Sequence, residues 1–290
     1  MKFVQSILRG VGQVMFQNNI YSGILFLIGI FYNSPLLGLA ALFGATISTL
    51  SAQILRYPKE DVQNGLYGFN GTLTGIAILC FFEINFITIT ALIVGAVLST
   101  IMMNLLKKFI PPFTAAFVMA TWVVMYSLLF VFNFPMVSSA APSANGIDIL
   151  TASGNSFGQV MLQENSITGL FFLLGILVNN QLMAIYAVYA AVLGSLTGWL
   201  FSVPFSTINT GLMGYNAILC AIALTGESWR DFLWITIAIT LSTLVNIWLS
   251  ITGIITLTAP FVLVTWIILM LKQILQPTKT AMRDPKTEIQ

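Results

Sequence analysis

The chain has 290 residues, 58% of them hydrophobic and only 7% charged, with a net charge of +2. Soluble domains carry about a quarter of their residues as charges, so a water-soluble fold is excluded, and the scattered cations offer no electrostatic footprint for nucleic acid. The two cysteines, Cys80 and Cys220, lie in separate apolar segments and histidine is absent, so neither a metal cage nor an imidazole acid–base site is expected, and no cofactor.

The first ten residues, MKFVQSILRG, lack a long apolar core followed by a small-residue cleavage site, and read as a short amphipathic helix rather than a cleaved signal peptide. Apolar stretches of roughly 17 to 25 residues follow, each long enough to cross a hydrocarbon core of about 30 Å. The predicted crossings are Val14–Tyr32, Leu36–Leu55, Gly65–Phe82, Phe86–Leu106 and Phe113–Phe134, then Val160–Val178, Leu182–Phe201, Gly211–Thr225, Phe232–Thr252 and Thr256–Leu271. No ten-residue alternation of a membrane β-barrel is present. Ser138–Ser156, rich in Ser, Ala, Gly and Asn, has loop composition. The predicted organisation is a first membrane repeat at 1–137, a connecting loop at 138–156, a second membrane repeat at 157–276 and a tail at 277–290.

The halves are copies of one another. Gly12-Gln13-Val14-Met15-Phe16-Gln17-Asn18-Asn19 recurs as Gly158-Gln159-Val160-Met161-Leu162-Gln163-Glu164-Asn165, and through Phe31 against Leu177 the identity is 11 of 20. At the same spacing Gly65-Leu66-Tyr67-Gly68-Phe69-Asn70 meets Gly211-Leu212-Met213-Gly214-Tyr215-Asn216. Thr114-Ala115-Ala116-Phe117 and Thr121-Trp122 meet Thr258-Ala259-Pro260-Phe261 and Thr265-Trp266. Basic residues mark cytoplasmic loops, yet Arg56 and Lys59 correspond to Ser202 and Phe205, and Lys2 to Asp148. Five crossings per copy then give two halves of opposite orientation with both termini cytoplasmic. The fold class expected is therefore an all-α integral membrane protein, an inverted repeat with its path near the midplane.

Several predicted crossings are interrupted, at Asn18, Asn19 and Gly23 and again at Glu164, Asn165 and Gly169. Backbone that leaves the helix at membrane depth must be buried in protein or line a polar cavity, so these breaks mark a path; Gly68, Gly71, Gly75 and Gly214 also suit close helix packing. Phe69 and Leu73 share a helix face, as do Tyr215 and Leu219, Thr114 and Thr121, and Thr258 and Thr265. Facing one another, these groups would form a narrow slot for a flat, uncharged, polar molecule; singly, each fits an ordinary helix contact. Glu164 is the one carboxylate near a break, either solvated at a mouth or reading donors there. With so few ionisable groups in the membrane, ion coupling is not expected.

Gln13-Val14-Met15-Phe16, Asn18-Asn19, Gly65 to Asn70, their second copies and the two Thr-x-x-Phe segments resemble the urea transporter family over nearly the whole chain. The resemblance implies half-spanning or re-entrant helices, a homotrimer with one pore per protomer in the cell (inner) membrane, and passive, channel-like permeation of urea. It places amide-reading groups at Gln13 and Gln159, with Val14 and Val160 beside them. Slot walls fall at Phe16, Phe69 and Tyr215, the central constriction at Leu73 and Leu219, and its hydroxyls at Thr114 and Thr258. Leu162 stands where the first copy has Phe16, and the prolines usual in the family are missing after Asn19 and Asn165 and before Phe117. A pore for another small neutral solute, such as a short amide, ammonia or water, is the nearest alternative; a coupled carrier and a membrane enzyme are less favoured, since no span carries a nucleophile with its base.

Overall fold

The computed structural model describes residues 2–137 and 143–275. Every regular element among them is helical. In the first half these are α1 (Lys2–Gln13), α2 (Ile20–Asn33), α3 (Pro35–Ile54), α4 (Lys59–Gln63), α5 (Gly68–Phe81), α6 (Phe86–Leu106) and α7 (Ala115–Phe130). In the second they are α8 (Ile149–Gln159), α9 (Ser166–Asn179), α10 (Gln181–Leu200), α11 (Phe205–Asn209), α12 (Tyr215–Ala223), α13 (Trp229–Ile251) and α14 (Ala259–Leu275). The order of the first seven is repeated by the second seven.

Local chemistry sets the boundaries. The side chains of Asn19 and Asn165 accept from the amides of Tyr21 and Thr168, so α2 and α9 begin there. Ser34 and Asn180 cap α3 and α10 in the same way, and Pro35 presets the first turn of α3. Asn85 with Thr88, and Ser228 with Asp231, close capping boxes on α6 and α13.

Four helices, α3, α6, α10 and α13, are long and apolar enough to cross a membrane; the 20 residues of α3 extend about 30 Å. The chain is thus a helical membrane protein. Several predicted crossings are shorter than composition implied. Val14–Tyr32 becomes a helix only from Ile20 and Val160–Val178 only from Ser166, Gly65–Phe82 contracts to the 14 residues of α5, Gly211–Thr225 to the nine of α12, and Phe113–Phe134 to the 16 of α7. The chain stays apolar past the point where it leaves the helix: Phe16 and Leu162 have φ of 62° and 58°, and Gly65 and Gly211 have φ of 77° and 83°. A left-handed residue stops a right-handed helix whatever its hydropathy. The opposite occurs at 149–156. Read from composition as connecting loop, it forms most of α8, because Asp148 accepts from the amides of Leu150 and Thr151.

Helix α5 is buried and packs against α3 through small residues. A Cβ on Gly71 would lie 2.2 Å from the Gly44 carbonyl oxygen, and one on Gly75 2.3 Å from that of Ala40. Close packing therefore accounts for these two glycines. Their counterparts in the second half are Ala217 and Ala221.

The halves meet through reciprocal contacts. Ser22 Oγ donates to the Gly175 carbonyl at 2.7 Å, and Thr168 Oγ1 to the Gly29 carbonyl at 2.8 Å. Asn33 Nδ2 donates to Gln163 Oε1 and Asn179 Nδ2 to Gln17 Oε1, both at 2.8 Å. Trp122 Nε1 reaches the Ile255 carbonyl at 2.7 Å and Trp266 Nε1 the Pro111 carbonyl at 2.8 Å. Phe26 and Phe172, equivalent residues, pack edge to face at 5.2 Å. In each case residue i of one copy contacts j of the other while the equivalent of j contacts that of i, the pattern a two-fold relation produces.

Candidate functional site

The site starts where α1 and α8 end. Gln13 Nε2 donates to the Asn64 carbonyl at 3.1 Å and Gln159 Nε2 to the Thr210 carbonyl at 3.0 Å, equivalent bonds in the two copies. Each amide is thereby oriented while its Oε1 has no partner among the described residues and is not sealed off. The chain then unwinds, and the carbonyls of Val14 and Val160 accept no hydrogen bond from the described residues. Helix ends leave such acceptors free. Two amide oxygens and two main-chain carbonyls are thus available to N–H donors.

Next along each unwound segment stands the side chain at the left-handed position. Phe16 packs edge to face on Phe113 and Phe261, at 6.0 Å from each, and those two rings lie 5.4 Å apart. Gln13, Val14, Phe16, Phe69, Phe113 and Thr114 are among the residues bounding a cavity of about 190 Å³. In the second copy the positions of Phe16 and Phe113 hold Leu162 and Leu257, also left-handed at φ 58° and 45°. Tyr215, equivalent to Phe69, is buried and donates its hydroxyl to the Leu257 carbonyl at 2.6 Å.

At the seam between the copies, Thr114 Oγ1 and Thr258 Oγ1 lie 2.6 Å apart and both residues are buried. The equivalent threonines thus meet each other directly. Leu73 and Leu219 are fully buried in the common core. Thr121 and Thr265 do not join the pair: Thr121 Oγ1 reaches Thr74 Oγ1 at 3.3 Å and Thr265 Oγ1 reaches Cys220 Sγ at 3.6 Å, each within its own half. Glu164 is exposed at the second break; at the first break its counterpart Asn18 donates to Asn64 Oδ1 at 3.3 Å.

Sequence reasoning left several residues of this region without a role. Asn70 Oδ1 accepts from the Phe117 amide at 3.0 Å and Asn216 Oδ1 from the Phe261 amide at 3.2 Å, fixing the starts of α7 and α14 against α5 and α12. Asn216 Nδ2 reaches the Leu257 carbonyl at 3.4 Å, whereas Asn70 Nδ2 is buried with no partner among the described residues. Duplication of both asparagines was the available signal. Phe113 and Leu257 gave none, because nothing in a sequence of this kind marks a bulky residue with φ of 45°.

The chain has relatives of known name. Over 247 aligned positions that cover 78% of it, the chain is 30% identical to urea transporter 1 of Rattus norvegicus, and over 248 it is 32% identical to urea transporter 1 of Ovis aries. The chain spans 64% of the length of each of these relatives. The family model described as urea transporter matches residues 4–273; the chain belongs to the urea transporter family.

Proposed function

We propose that the protein is a passive, channel-like pathway for urea. The observation that carries this reading is the Thr114–Thr258 pair at 2.6 Å, one hydroxyl from each copy, reached from two helix ends with unpaired acceptors. Urea is planar and neutral, with four N–H bonds and one carbonyl. Stripping its water without replacement costs several kcal/mol, so a pore needs acceptors at its mouths and a donor at its centre. Gln13 and Val14 at one mouth, and Gln159 and Val160 at the other, supply the acceptors. Each threonine hydroxyl is both donor and acceptor. Phe16 and Phe69 bound the slot on one side, Leu162 and Tyr215 on the other, with Leu73 and Leu219 behind the constriction.

In this reading the two repeats, 1–137 and 157–276 with α8 added to the second, are inverted about an axis in the membrane plane: the reciprocal contacts support a two-fold relation, and the unequal charges of equivalent loops, such as Arg56 and Lys59 against Ser202 and Phe205, support inversion. The ion pairs Lys107–Asp61 and Lys272–Asp231 then fall on the same, cytoplasmic, face. The protein sits in the inner membrane with both termini cytoplasmic and assembles as a homotrimer with a pore in each protomer, the arrangement the family resemblance implies. No enzymatic step is proposed.

Stopped-flow light scattering on proteoliposomes tests the function. Urea flux should follow its own gradient and ignore proton, sodium and voltage gradients. Urea accumulation driven by an ion gradient, or water or ammonia flux without urea flux, would overturn the reading. One-sided cysteine labelling in sealed cells tests the orientation: a cysteine at Pro204–Thr207 should label from outside and one at Arg56–Lys59 from inside, and labelling from the same face rules out inversion.

A further inference from the structure

We propose that the first half carries a binding site for the phosphate headgroup of an anionic phospholipid. The site is a cavity of about 590 Å³ between the first turns of α1 and the turn joining α3 to α4. Lys2, Arg56 and Lys59 line it and no carboxylate does. The ion pairs found among the described residues are Lys107–Asp61 and Lys272–Asp231, so none of the three lining cations is held in a direct ion pair. Gln53, Tyr57 and Gln63 add amide and phenol donors to the same lining. Against this wall, Arg9 Nη1 donates to the Gln63 carbonyl at 3.3 Å while its Nε is buried without a partner, which places a further positive charge beside the cavity. A guanidinium and two ammonium groups lining one cavity are suited to phosphate oxygens, which Arg can engage through two parallel hydrogen bonds.

A lipid is favoured over a soluble phosphate by what surrounds the cations. Phe3, Pro58 and Val62 share the cavity lining with the three cations. Apolar surface that acyl chains would cover therefore lines the same cavity as the cations, and an amphiphile fits both. The second half supplies an internal control. Arg56 and Ser202 occupy the same left-handed turn, at φ 55° and 58°, so the backbone does not require a cation. The counterparts of Lys2 and Lys59 are Asp148 and Phe205. Only one copy of this turn is built to hold an anion. The inference goes beyond the proposed permeation and does not depend on urea as the solute.

The test is lipid titration of the purified full chain in detergent, read by native mass spectrometry. Phosphatidylglycerol, phosphatidylcholine and inorganic phosphate are compared on the unmodified protein, on Arg56→Gln/Lys59→Gln, and on Lys108→Gln/Arg230→Gln, which removes the same charge elsewhere. Phosphatidylglycerol should bind at least about tenfold tighter than phosphatidylcholine, and the cavity variant should lose about 10- to 30-fold of that affinity, given the usual contribution of each basic residue near an anionic surface. The control pair should change it less than about twofold. Arg56→Ser/Lys59→Phe, the residues that the second half tolerates in the same turn, should give the same loss if the glutamine variant folds poorly. Equal losses in the cavity and control pairs would reduce the effect to diffuse surface charge and overturn the site. Inorganic phosphate displacing the lipid at equal concentration would overturn the lipid assignment, and that arm needs no variant.

Discussion

The two copies of the repeat use one backbone plan with different side chains at the mouths, and the contrast separates what the fold requires from what the solute path requires. Retained in both are the asparagine caps, the glutamine anchors, the asparagine lock on the starts of α7 and α14, and the reciprocal tryptophans. All of these satisfy backbone groups that lipid could not. What differs fills space. One mouth has the Phe16, Phe113 and Phe261 rings in mutual contact; the equivalent positions at the other are Leu162, Leu257 and Phe117. The left-handed turns accept either side chain, since the strain lies at Cβ and is the same for both. Tyr215, where the first copy has Phe69, gives the Leu257 carbonyl a donor; the matching Phe113 carbonyl accepts no bond from the described residues. In the proposed pathway, then, an aromatic wall on the first-copy side and an aliphatic one on the second flank the Thr114–Thr258 pair.

The largest way to break this comparison is at the α3–α5 contact, where the first copy has glycine and the second alanine. Gly71→Val forces a branched side chain onto the Gly44 carbonyl and Ser48, and overpacking of this kind should cost at least about 3 kcal/mol. Loss of a monodisperse peak in detergent is the expected readout, while Ala217→Gly should cost only about 1 kcal/mol. Equal tolerance at the two sites would show that the close packing in the first copy is not needed.

On the proposed pathway, transport should be most sensitive at the seam. Thr114→Val and Thr258→Val each keep the shape and remove a hydroxyl at a desolvated site, a loss of about 1 to 3 kcal/mol. Urea flux should fall by roughly 5- to 150-fold, by similar factors for the two, because each residue is the other's partner. Thr121→Val and Thr265→Val, bonded within their own halves, should be milder. A larger loss at Thr121 and Thr265 in folded protein would move the barrier two turns along the helices.

A sharper comparison comes from making the second mouth resemble the first. Tyr215→Phe leaves the Leu257 carbonyl with Asn216 as its remaining side-chain donor and should lower stability by about 0.5 to 1.5 kcal/mol, read as a fall in Tm. Leu162→Phe should raise the apparent affinity for urea at that mouth, read as saturation at lower concentration; unchanged saturation would mean the aromatic wall plays no part in binding. The smallest effect is expected at the first copy's own ion pair. Asp61→Asn weakens its contact with Lys107, a partly exposed pair with side chains 30% and 20% exposed, and should cost below about 1 kcal/mol with little change in flux.

Much of this was present in the sequence. Composition alone required a membrane fold, since water could not cover so many apolar side chains. The duplication was legible because 11 of 20 positions coincide at fixed spacing, whereas Thr114 and Thr258 stood out from Thr121 and Thr265 only through the family resemblance, and their direct contact is a finding of the structure. The helix ends were not legible. Breaks are expected at Asn18–Asn19 and Glu164–Asn165, but hydropathy measures transfer to lipid and is blind to φ, so the left-handed residues Phe16, Phe113, Leu162 and Leu257 count into the spans, and α8 reads as loop. Nor could the sequence say that Thr121 and Thr265 turn back into their own halves, that Asn70 and Asn216 hold the next helix in place, or that Lys2, Arg56 and Lys59 converge on one cavity. Those are relations between residues distant in the chain, and only the packing of helices within each copy decides them.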